Sequence, residues 1–238
     1  MAKVCILIGG SRGLGKSLLA LYQQQGFTVL ELSRSGSGDS HLELDMSRRE
    51  AAIDTVDRML ADLARERWDE VQLIINAATI GPIGPLALSE PKQWWQHLDV
   101  NFTVPISILG RYQYHFGAYP ARKVAAFVSS GAAHSAIDGW GLYCASKAGV
   151  NHFLRVMAVE QSLQPLPIEC AILDPGVMAT QMQATLREAS VAQFSQVQSF
   201  IQLHQNGQLA APETVAQNIY RRLAEPVSHT EVLDVSGH

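Results

Sequence analysis

The sequence has few cysteines and no long apolar run, and each absence excludes a class of protein. Its three cysteines, Cys5, Cys144 and Cys170, are far apart and form no C-x-x-C pair, so neither a disulfide framework nor a zinc site is indicated. No cluster of His, Cys or acidic residues has metal-ligand spacing, and we expect no metal. No segment is long enough for a membrane span or a signal peptide. We therefore expect a cytoplasmic protein with no membrane partner.

Strong net charge is also lacking. Lys and Arg number 18 against 22 Asp and Glu, which leaves a net charge of −4 and gives no reason to expect nucleic acid as a partner. The apolar fraction of 47% in 238 residues is that of an ordinary globular chain able to bury one α/β core. No linker, repeat or low-complexity stretch divides it, so we expect a single domain over residues 1–238.

Apolar runs that predict strands alternate along the chain with patterns that predict helices. Strands are predicted at 4–8, 27–33, 41–45, 71–76, 124–129, 168–173 and 231–235. Helices are predicted from the first glycine loop to Gly26, at about 48–67 with Ser47 as cap, over much of 90–117, from Tyr143 to about 164, and from Pro212. A helical substrate-loop excursion is expected at about 177–210. This alternation is typical of a doubly wound, mainly parallel, Rossmann-like sheet in three α/β/α layers.

A glycine-rich loop follows the first apolar run and opens a helix. Gly9, Gly13 and Gly15 have the spacing G-x-x-x-G-x-G, which allows backbone to approach a pyrophosphate at a helix N-terminus. The alternative is a tight strand-to-helix turn without a ligand.

The end of the second predicted strand bears on which nucleotide binds. NAD calls for a carboxylate there, but the sequence reads Ser33-Arg34, and the nearby acid, Glu31, lies mid-strand. Arg34 and Arg12 suit a ribose phosphate through charge-assisted hydrogen bonds. NADP(H) is therefore favoured over NAD(H), the alternative for Arg34 being a solvated surface cation.

A hydroxyl, a phenol and an ammonium occur close together at Ser130, Tyr143 and Lys147. Tyr143 and Lys147 are four residues apart and share one face of a helix. Lowering the pKa of a phenol from about 10 to about 7 takes roughly 4 kcal/mol, which an adjacent cation in a desolvated cleft can supply. Alone, such a trio also occurs by chance.

The combined motifs resemble those of the short-chain dehydrogenase/reductase family over essentially the whole chain. They are the glycine loop, Asn76-Ala77-Ala78, Asn101, Ser130, Tyr143-x-x-x-Lys147 and Pro175-Gly176, in the family's order. Within the family, the stretches 139–147 and 174–182 are similar to the sepiapterin reductase and benzil reductase branch.

The resemblance implies a role for each matching residue. Tyr143 would protonate a carbonyl oxygen, Lys147 would lower the phenol's pKa, Ser130 would hold the substrate oxygen, and Asn101 would keep a water in a proton relay. The cofactor would contact Gly9, Ser11, Arg12, Gly13, Leu14, Gly15, Ser33, Arg34, Asp45, Met46, Asn76, Ala77, Ala78, Tyr143, Lys147, Pro175, Gly176, Val177 and Thr180. Trp140, Met178 and Met182 flank the catalytic stretch, and we expect them to line an apolar substrate pocket beside Ser130 and Tyr143; the alternative for these three is core or lid packing.

These roles lead to the hypothesis of an NADPH-dependent carbonyl reductase acting on a small, largely apolar ketone or diketone. One alternative is a 3-oxoacyl-carrier-protein reductase. Another, from a different class, is a non-catalytic NADP-sensing protein. The resemblance also implies a homodimer or homotetramer built on the helices at about 90–117 and 143–164.

Overall fold

Seven strands form one parallel sheet in the computed structural model, which describes residues 1–227 and 231–237. The strands are β1 (Lys3–Ile8), β2 (Thr28–Ser33), β3 (His41–Glu43), β4 (Glu70–Ile75), β5 (Arg122–Val128), β6 (Ile168–Asp174) and β7 (Val232–Asp234). Their order is β3-β2-β1-β4-β5-β6-β7, and each neighbouring pair runs parallel. The predicted doubly wound sheet is confirmed.

Helices cover both faces of this sheet. They are α1 (Gly13–Gln24), α2 (Arg49–Leu63), α3 (Pro91–Leu98), α4 (Val104–Phe116), α5 (Gly141–Ser162), α6 (Gln181–Arg187), α7 (Val197–Gln205) and α8 (Pro212–Ala224). Helices α1 and α8 pack on one face, and α2, α4 and α5 on the other. Within the described residues, no helix combines the length and apolarity that crossing a bilayer requires.

Strand β1 shows why the apolar runs become central strands. Val4, Ile6 and Ile8 belong to the core under α2, α4 and α5, whereas Cys5 and Leu7 belong to the core under α1 and α8. Successive side chains of a strand point to opposite faces, so a strand covered on both sides must be apolar at every position. All five residues are buried.

The start of α2 differs from the prediction. Ser47 does not cap the helix, because its hydroxyl donates to Asp45 Oδ1 at 2.7 Å in a local turn. The helix begins at Arg49, and its N-cap, Arg48, provides no side-chain hydrogen bond. A short polar side chain next to an aspartate satisfies its hydroxyl locally, and this competes with capping.

The predicted long helix over 90–117 is interrupted. Helices α3 and α4 are joined by a π-helical turn, Asp99–Thr103, which widens the hydrogen-bonding pattern from i→i+4 to i→i+5. Arg49 of α2 donates to Asp99 Oδ1 at 2.7 Å and ties this turn to the neighbouring helix. Asn101 lies inside the turn.

Because the strands are parallel, their carboxyl ends lie along one edge of the sheet. The chain adds β2 and β3 on one side of β1 and then β4 on the other side. This reversal of strand order creates a crevice next to β1, which is where ligands bind in open α/β sheets. Helices α6 and α7 form the segment between β6 and α8. We call this segment, with the loop joining its two helices, the lid.

Candidate active site

Ser130 and Tyr143 meet at the carboxyl end of β5. Ser130 caps a short turn, and its Oγ accepts a hydrogen bond from Ala132 N at 3.2 Å. Tyr143 is buried in the first turn of α5, and the Ser130 side chain is close enough to its phenol to act on the phenol's pKa. The two hydroxyl groups therefore lie near each other in the crevice.

Lys147 lies one helical turn after Tyr143 and is fully buried. Its Nζ donates to the carbonyl of Val128 at 2.7 Å. The same nitrogen lies 4.4 Å from the ring centroid of Phe127 and 5.6 Å from that of Tyr143. The end of β5 thus fixes the lysine against the face of the tyrosine.

Burial shifts the pKa values of both groups towards their neutral forms. It raises the pKa of Tyr143 to about 12, and the nearby Ser130 side chain only partly opposes this. It lowers the pKa of Lys147 to about 7, with Asp174 acting in the other direction. Removal from water is thus the largest influence on both groups, and the role of Lys147 in lowering the phenol's pKa stays a prediction.

The Asn101 side chain is held by the loop after β4. Its Oδ1 accepts from Thr79 N at 2.9 Å, and its Nδ2 donates to Thr79 O at 2.7 Å. The same Nδ2 lies 2.9 Å from His97 Nε2. Both amide hydrogens of Asn101 are therefore used within the protein, and the predicted role in a water relay stays a prediction.

Two side chains brace the glycine loop. Asn76 Nδ2, after β4, donates to the carbonyl of Gly9 at 2.7 Å. Glu31 Oε1, in β2, accepts from Gly10 N at 2.8 Å. Gly9 has a φ of 91°, and an added Cβ would stand 2.7 Å from the nitrogen of Ala77. A side chain at this position is excluded both by backbone strain and by lack of space.

The start of α1 can accept an anion. Its N-cap, Arg12, makes no side-chain capping bond, and no acidic residue lies in the first turn. Gly13 has a φ of 50°, and an added Cβ would approach Thr180 Cγ2 at 3.3 Å. The helix N-terminus, with Thr180 beside it, matches the surroundings that a pyrophosphate prefers.

Groups suited to a ribose phosphate lie at the end of β2. Ser33 Oγ is buried and has no hydrogen-bond partner among the described residues, while Arg34 is exposed next to it. Burial acts to raise the pKa of Asp45, but hydrogen bonds from Ser47 and the charges of Arg34 and Arg48 keep it below its usual value. Arg34 is thus close to Asp45 at the same rim.

Apolar side chains surround Tyr143 on the side of the lid. Trp140 stacks on Phe194 with ring centroids 5.0 Å apart and meets Tyr143 edge-on at 5.7 Å. Phe200 packs against both Trp140 and Phe194. We call Trp140, Phe194 and Phe200 the aromatic cluster. Its buried and partly buried neighbours include Ile80, Ala132, Leu186, Val197 and Met182.

The structure separates some of the residues that the sequence groups together. Met182 packs against the aromatic cluster, but Met178 packs in the core under α1 and α8 and pairs with Ala210. The side chains of Leu14 and Met46 also contribute to the two cores. The remaining predicted cofactor residues, Ser11, Ala78, Pro175, Gly176 and Val177, lie in loops that follow β1, β4 and β6.

Comparison with known proteins agrees with this geometry. A family model described as short chain dehydrogenase matches residues 3–191. The chain belongs to the short chain dehydrogenase family. Members of this family are oxidoreductases that use a nicotinamide cofactor.

The relatives of this short chain dehydrogenase include reductases of carbonyl compounds. A benzil reductase ((S)-benzoin forming) of Bacillus subtilis is 29% identical over 235 residues, covering 97% of each chain. A sepiapterin reductase of Meriones unguiculatus is 28% identical over 211 residues, covering 79% of each chain. The crystal structure of a Saccharomyces cerevisiae short chain dehydrogenase/reductase has a TM-score of 0.84 at 22% identity, covering 99% of this chain and 96% of the other, which shows the same fold.

Several residues at the site of this dehydrogenase were not identified from the sequence. His97 is buried beside Asn101 and Tyr143. Glu31, considered only as a ribose ligand, holds the glycine loop instead. Asp138 accepts from both the backbone and the hydroxyl of Ser195 and so links the lid to the start of α5. Helical spacing places His97 one turn before Asn101, and this is the one signal that could have found it.

Proposed function

We propose that this protein is an NADPH-dependent carbonyl reductase that acts on a small, largely apolar ketone or diketone. The observation that carries the proposal is the buried phenol of Tyr143 beside the Ser130 side chain, with the Lys147 nitrogen against the tyrosine ring. A phenol held in this way can give a proton to a carbonyl oxygen as negative charge develops on it. The relationship to a benzil reductase and a sepiapterin reductase supports the same reaction.

The groups that would hold NADPH lie at the carboxyl ends of β1, β2 and β4. The start of α1 suits the pyrophosphate, and Asn76 and Glu31 keep the glycine loop in place. The unpartnered hydroxyl of Ser33 and the guanidinium of Arg34 suit the phosphate on the adenosine ribose. When bound, the dinucleotide supplies the hydride that reduces the carbonyl carbon.

The protein's own part in the reaction is proton donation and positioning. Tyr143 keeps its proton at neutral pH, because burial raises its pKa to about 12, and it is therefore poised as the acid for reduction. Ser130 hydrogen-bonds the same oxygen and fixes its direction relative to the phenol. Lys147 in its charged form stabilises the phenolate that remains after the proton has left.

The surroundings of Tyr143 favour an uncharged substrate with aromatic or aliphatic groups. The neighbouring side chains of the lid and of the loop before α5 are apolar. Trp140 adds one polar group, since its buried indole N–H has no acceptor among the described residues. Leaving a buried donor unpaired costs about 1–3 kcal/mol, and the second carbonyl of a vicinal diketone would provide the acceptor. This supports a diketone over a simple ketone.

The direct test is NADPH oxidation in the presence of benzil by the wild type and by Tyr143→Phe. We expect the variant to lose about 10²- to 10⁴-fold in kcat, the usual contribution of a positioned general acid, with unchanged NADPH binding. Undiminished turnover by the variant would contradict the mechanism. A wild type that binds NADPH but reduces no carbonyl compound would favour the NADP-sensing alternative.

The substrate class has its own test. Deoxybenzoin has the two phenyl rings of benzil but only one carbonyl, so the wild type should reduce benzil with the higher kcat/KM. Trp140→Phe keeps an aromatic ring but removes the N–H, and it should reduce that preference to the part that comes from the greater electrophilicity of the diketone. An unchanged ratio of the two kcat/KM values would contradict the role of the indole. A higher kcat/KM on a 3-oxoacyl carrier-protein thioester than on any free diketone would favour the carrier-protein alternative.

We further infer that two copies of the chain associate through α4 and α5. The outer face of α5 exposes Val156 and Val159, the residue after its end, Leu163, is also exposed, and α4 exposes Tyr114. A face of this kind is self-complementary in a twofold dimer, and the family resemblance favours a second copy as the occupant. A tetramer would use this face together with another one.

A further inference from the structure

His97 is a buried histidine in the last turn of α3, one helical turn before Asn101. Only 1% of its surface is exposed. Buried histidines are costly unless their ring nitrogens find partners. The surroundings of this ring therefore indicate what it does.

The hydrogen bonds of Asn101 fix the state of the His97 ring. Asn101 Oδ1 accepts from Thr79 N at 2.9 Å, so its amide nitrogen faces His97. An amide nitrogen can only donate, and His97 Nε2, 2.9 Å away, must accept. The ring proton is then on Nδ1, which donates to Gly81 O at 2.7 Å.

The ring also packs against the proposed proton donor. The centroids of His97 and Tyr143 are 6.3 Å apart at an angle of 78°, an edge-to-face contact. Burial lowers the pKa of His97 below its usual value; the backbone at Gly81 and Leu142 acts in the other direction, and the nearby Lys147 charge adds to the lowering. The neutral form, which can accept from Asn101, is therefore the one present near neutral pH.

We propose that His97 is a positioning residue for the reduction. As a neutral acceptor it holds the amide of Asn101, as a donor it anchors the loop at Gly81, and its ring supports Tyr143 from the side. The catalytic part of this proposal rests on the proposed carbonyl reduction. The hydrogen-bond part rests on the geometry alone.

Three substitutions separate these contacts. His97→Gln keeps an acceptor that reaches Asn101, His97→Asn keeps only a donor near Gly81, and His97→Phe keeps the ring shape without either hydrogen bond. We expect the Asn and Phe variants to lose about 10- to 100-fold in kcat for benzil reduction, the cost of small misplacements in an active site. The Gln variant should stay within a few-fold of the wild type, and the KM for NADPH should be unchanged in all three.

Thermal unfolding of each variant separates positioning from a general loss of structure. A purely structural role would make kcat follow the loss of stability, with no rescue by Gln, and that result would overturn the proposal. So would wild-type kcat in the Phe variant.

The nitrogen NMR spectrum of the His97 ring in the wild type supplies a readout independent of turnover. We expect the Nδ1–H tautomer and a pKa below the usual histidine value. An Nε2–H tautomer, or ordinary titration, would overturn the proposal whether or not the protein reduces any carbonyl. Absence of turnover combined with the expected tautomer would instead overturn the proposed function and, with it, the catalytic part of the His97 role.

Discussion

At the scale of single residues, Tyr143 and Lys147 illustrate how burial sets chemistry. Each is titratable and each is removed from water, so the neutral form of each is favoured. The tyrosine therefore keeps its proton at neutral pH, and the lysine loses its proton more readily than an exposed lysine does. The pair therefore favours the direction in which the phenol donates, which is carbonyl reduction.

The first prediction concerns pH. We expect kcat/KM for reduction to fall as pH rises above about 7. The pKa of Lys147 is lowered to about 7, so its ammonium form is present below this pH and is lost above it. Tyr143 contributes no decline in this range, since its pKa is raised to about 12. The measurement is a pH–rate profile from about pH 5 to about pH 9.

Lys147→Arg is the control for this profile. A guanidinium stays charged throughout this range, so the decline should disappear even though the absolute rate is lower. The same decline in both proteins would show that another group causes it.

The second prediction concerns the choice of cofactor. Arg34→Ala should raise the KM for NADPH about 10- to 100-fold, the loss expected from a charge-assisted hydrogen bond, and should leave the KM for NADH nearly unchanged. Arg48→Ala is a matched control, because Arg48 is likewise an exposed arginine near Asp45 but lies at the start of α2 and not at the end of β2. Equal effects on both cofactors, or an equal effect of Arg48→Ala, would refute a phosphate contact by Arg34.

At the scale of elements, hydrogen bonds and aromatic packing join the lid to the start of α5. Asp138, before α5, accepts from Ser195 N at 2.8 Å and from Ser195 Oγ at 2.7 Å. Trp140 stacks on Phe194, and each of these residues lies within two positions of the hydrogen-bonded pair in its own segment. Movement of the lid must break these contacts.

The third prediction follows from this link. Asp138→Ala should speed proteolytic cleavage within residues 188–196 and raise the KM for benzil several-fold, without affecting the KM for NADPH. Ser195→Ala should have a smaller effect, because the backbone nitrogen of residue 195 still donates to Asp138. Equal effects of the two variants on cleavage, or no effect of either, would argue against the link. Limited proteolysis and steady-state kinetics provide the measurements.

The π-helical turn is the second element that shapes the site. A π turn has more residues than an α turn. The side chains after Asp99–Thr103 therefore point in other directions than they would in a regular α-helix through residues 91–116. The turn brings Asn101 against the loop after β4, and Asp99 to Arg49 of α2. Such turns often occur at functional sites.

At the scale of the whole molecule, the sheet connects all of these parts. Strands β1, β4, β5 and β6 are adjacent and parallel, so their carboxyl ends lie at the same edge of the sheet. This edge brings together features that are far apart in sequence: the glycine loop, Asn76, Ser130 and the loop after β6. At the opposite edge, Arg122 binds Glu70 and Glu169 at 2.7 and 2.9 Å and so ties three strands together.

The fourth prediction is the assembly of two copies. The wild type should sediment as a dimer, and Val159→Glu should shift it towards monomer, because the outer face of α5 would then bury an unpaired carboxylate. Val191→Glu is the control, since Val191 is similarly exposed but lies in the lid. Analytical ultracentrifugation distinguishes the outcomes, and a monomeric wild type would contradict the inferred dimer.

The sequence by itself determined the order and type of the elements. Continuous apolar runs such as Val4 to Ile8 can be buried on both faces, and the alternating helical patterns require parallel strands with crossovers. The sequence also identified the glycines of the first loop and the pair of Tyr143 and Lys147. Within each set the relative positions depend on local backbone geometry, which the spacing of the residues in the sequence predicts.

Tertiary structure alone decided what surrounds these residues. The partners of Asn101, the hydrogen bond that Glu31 makes with the glycine loop, and the separation of Met178 from Met182 all depend on contacts between segments far apart in the chain. The pKa values of Tyr143 and Lys147 depend on how completely water is excluded, and no spacing in the sequence measures that. His97 belongs to this group, because only the folded chain brings it to Gly81, Asn101 and Tyr143 together.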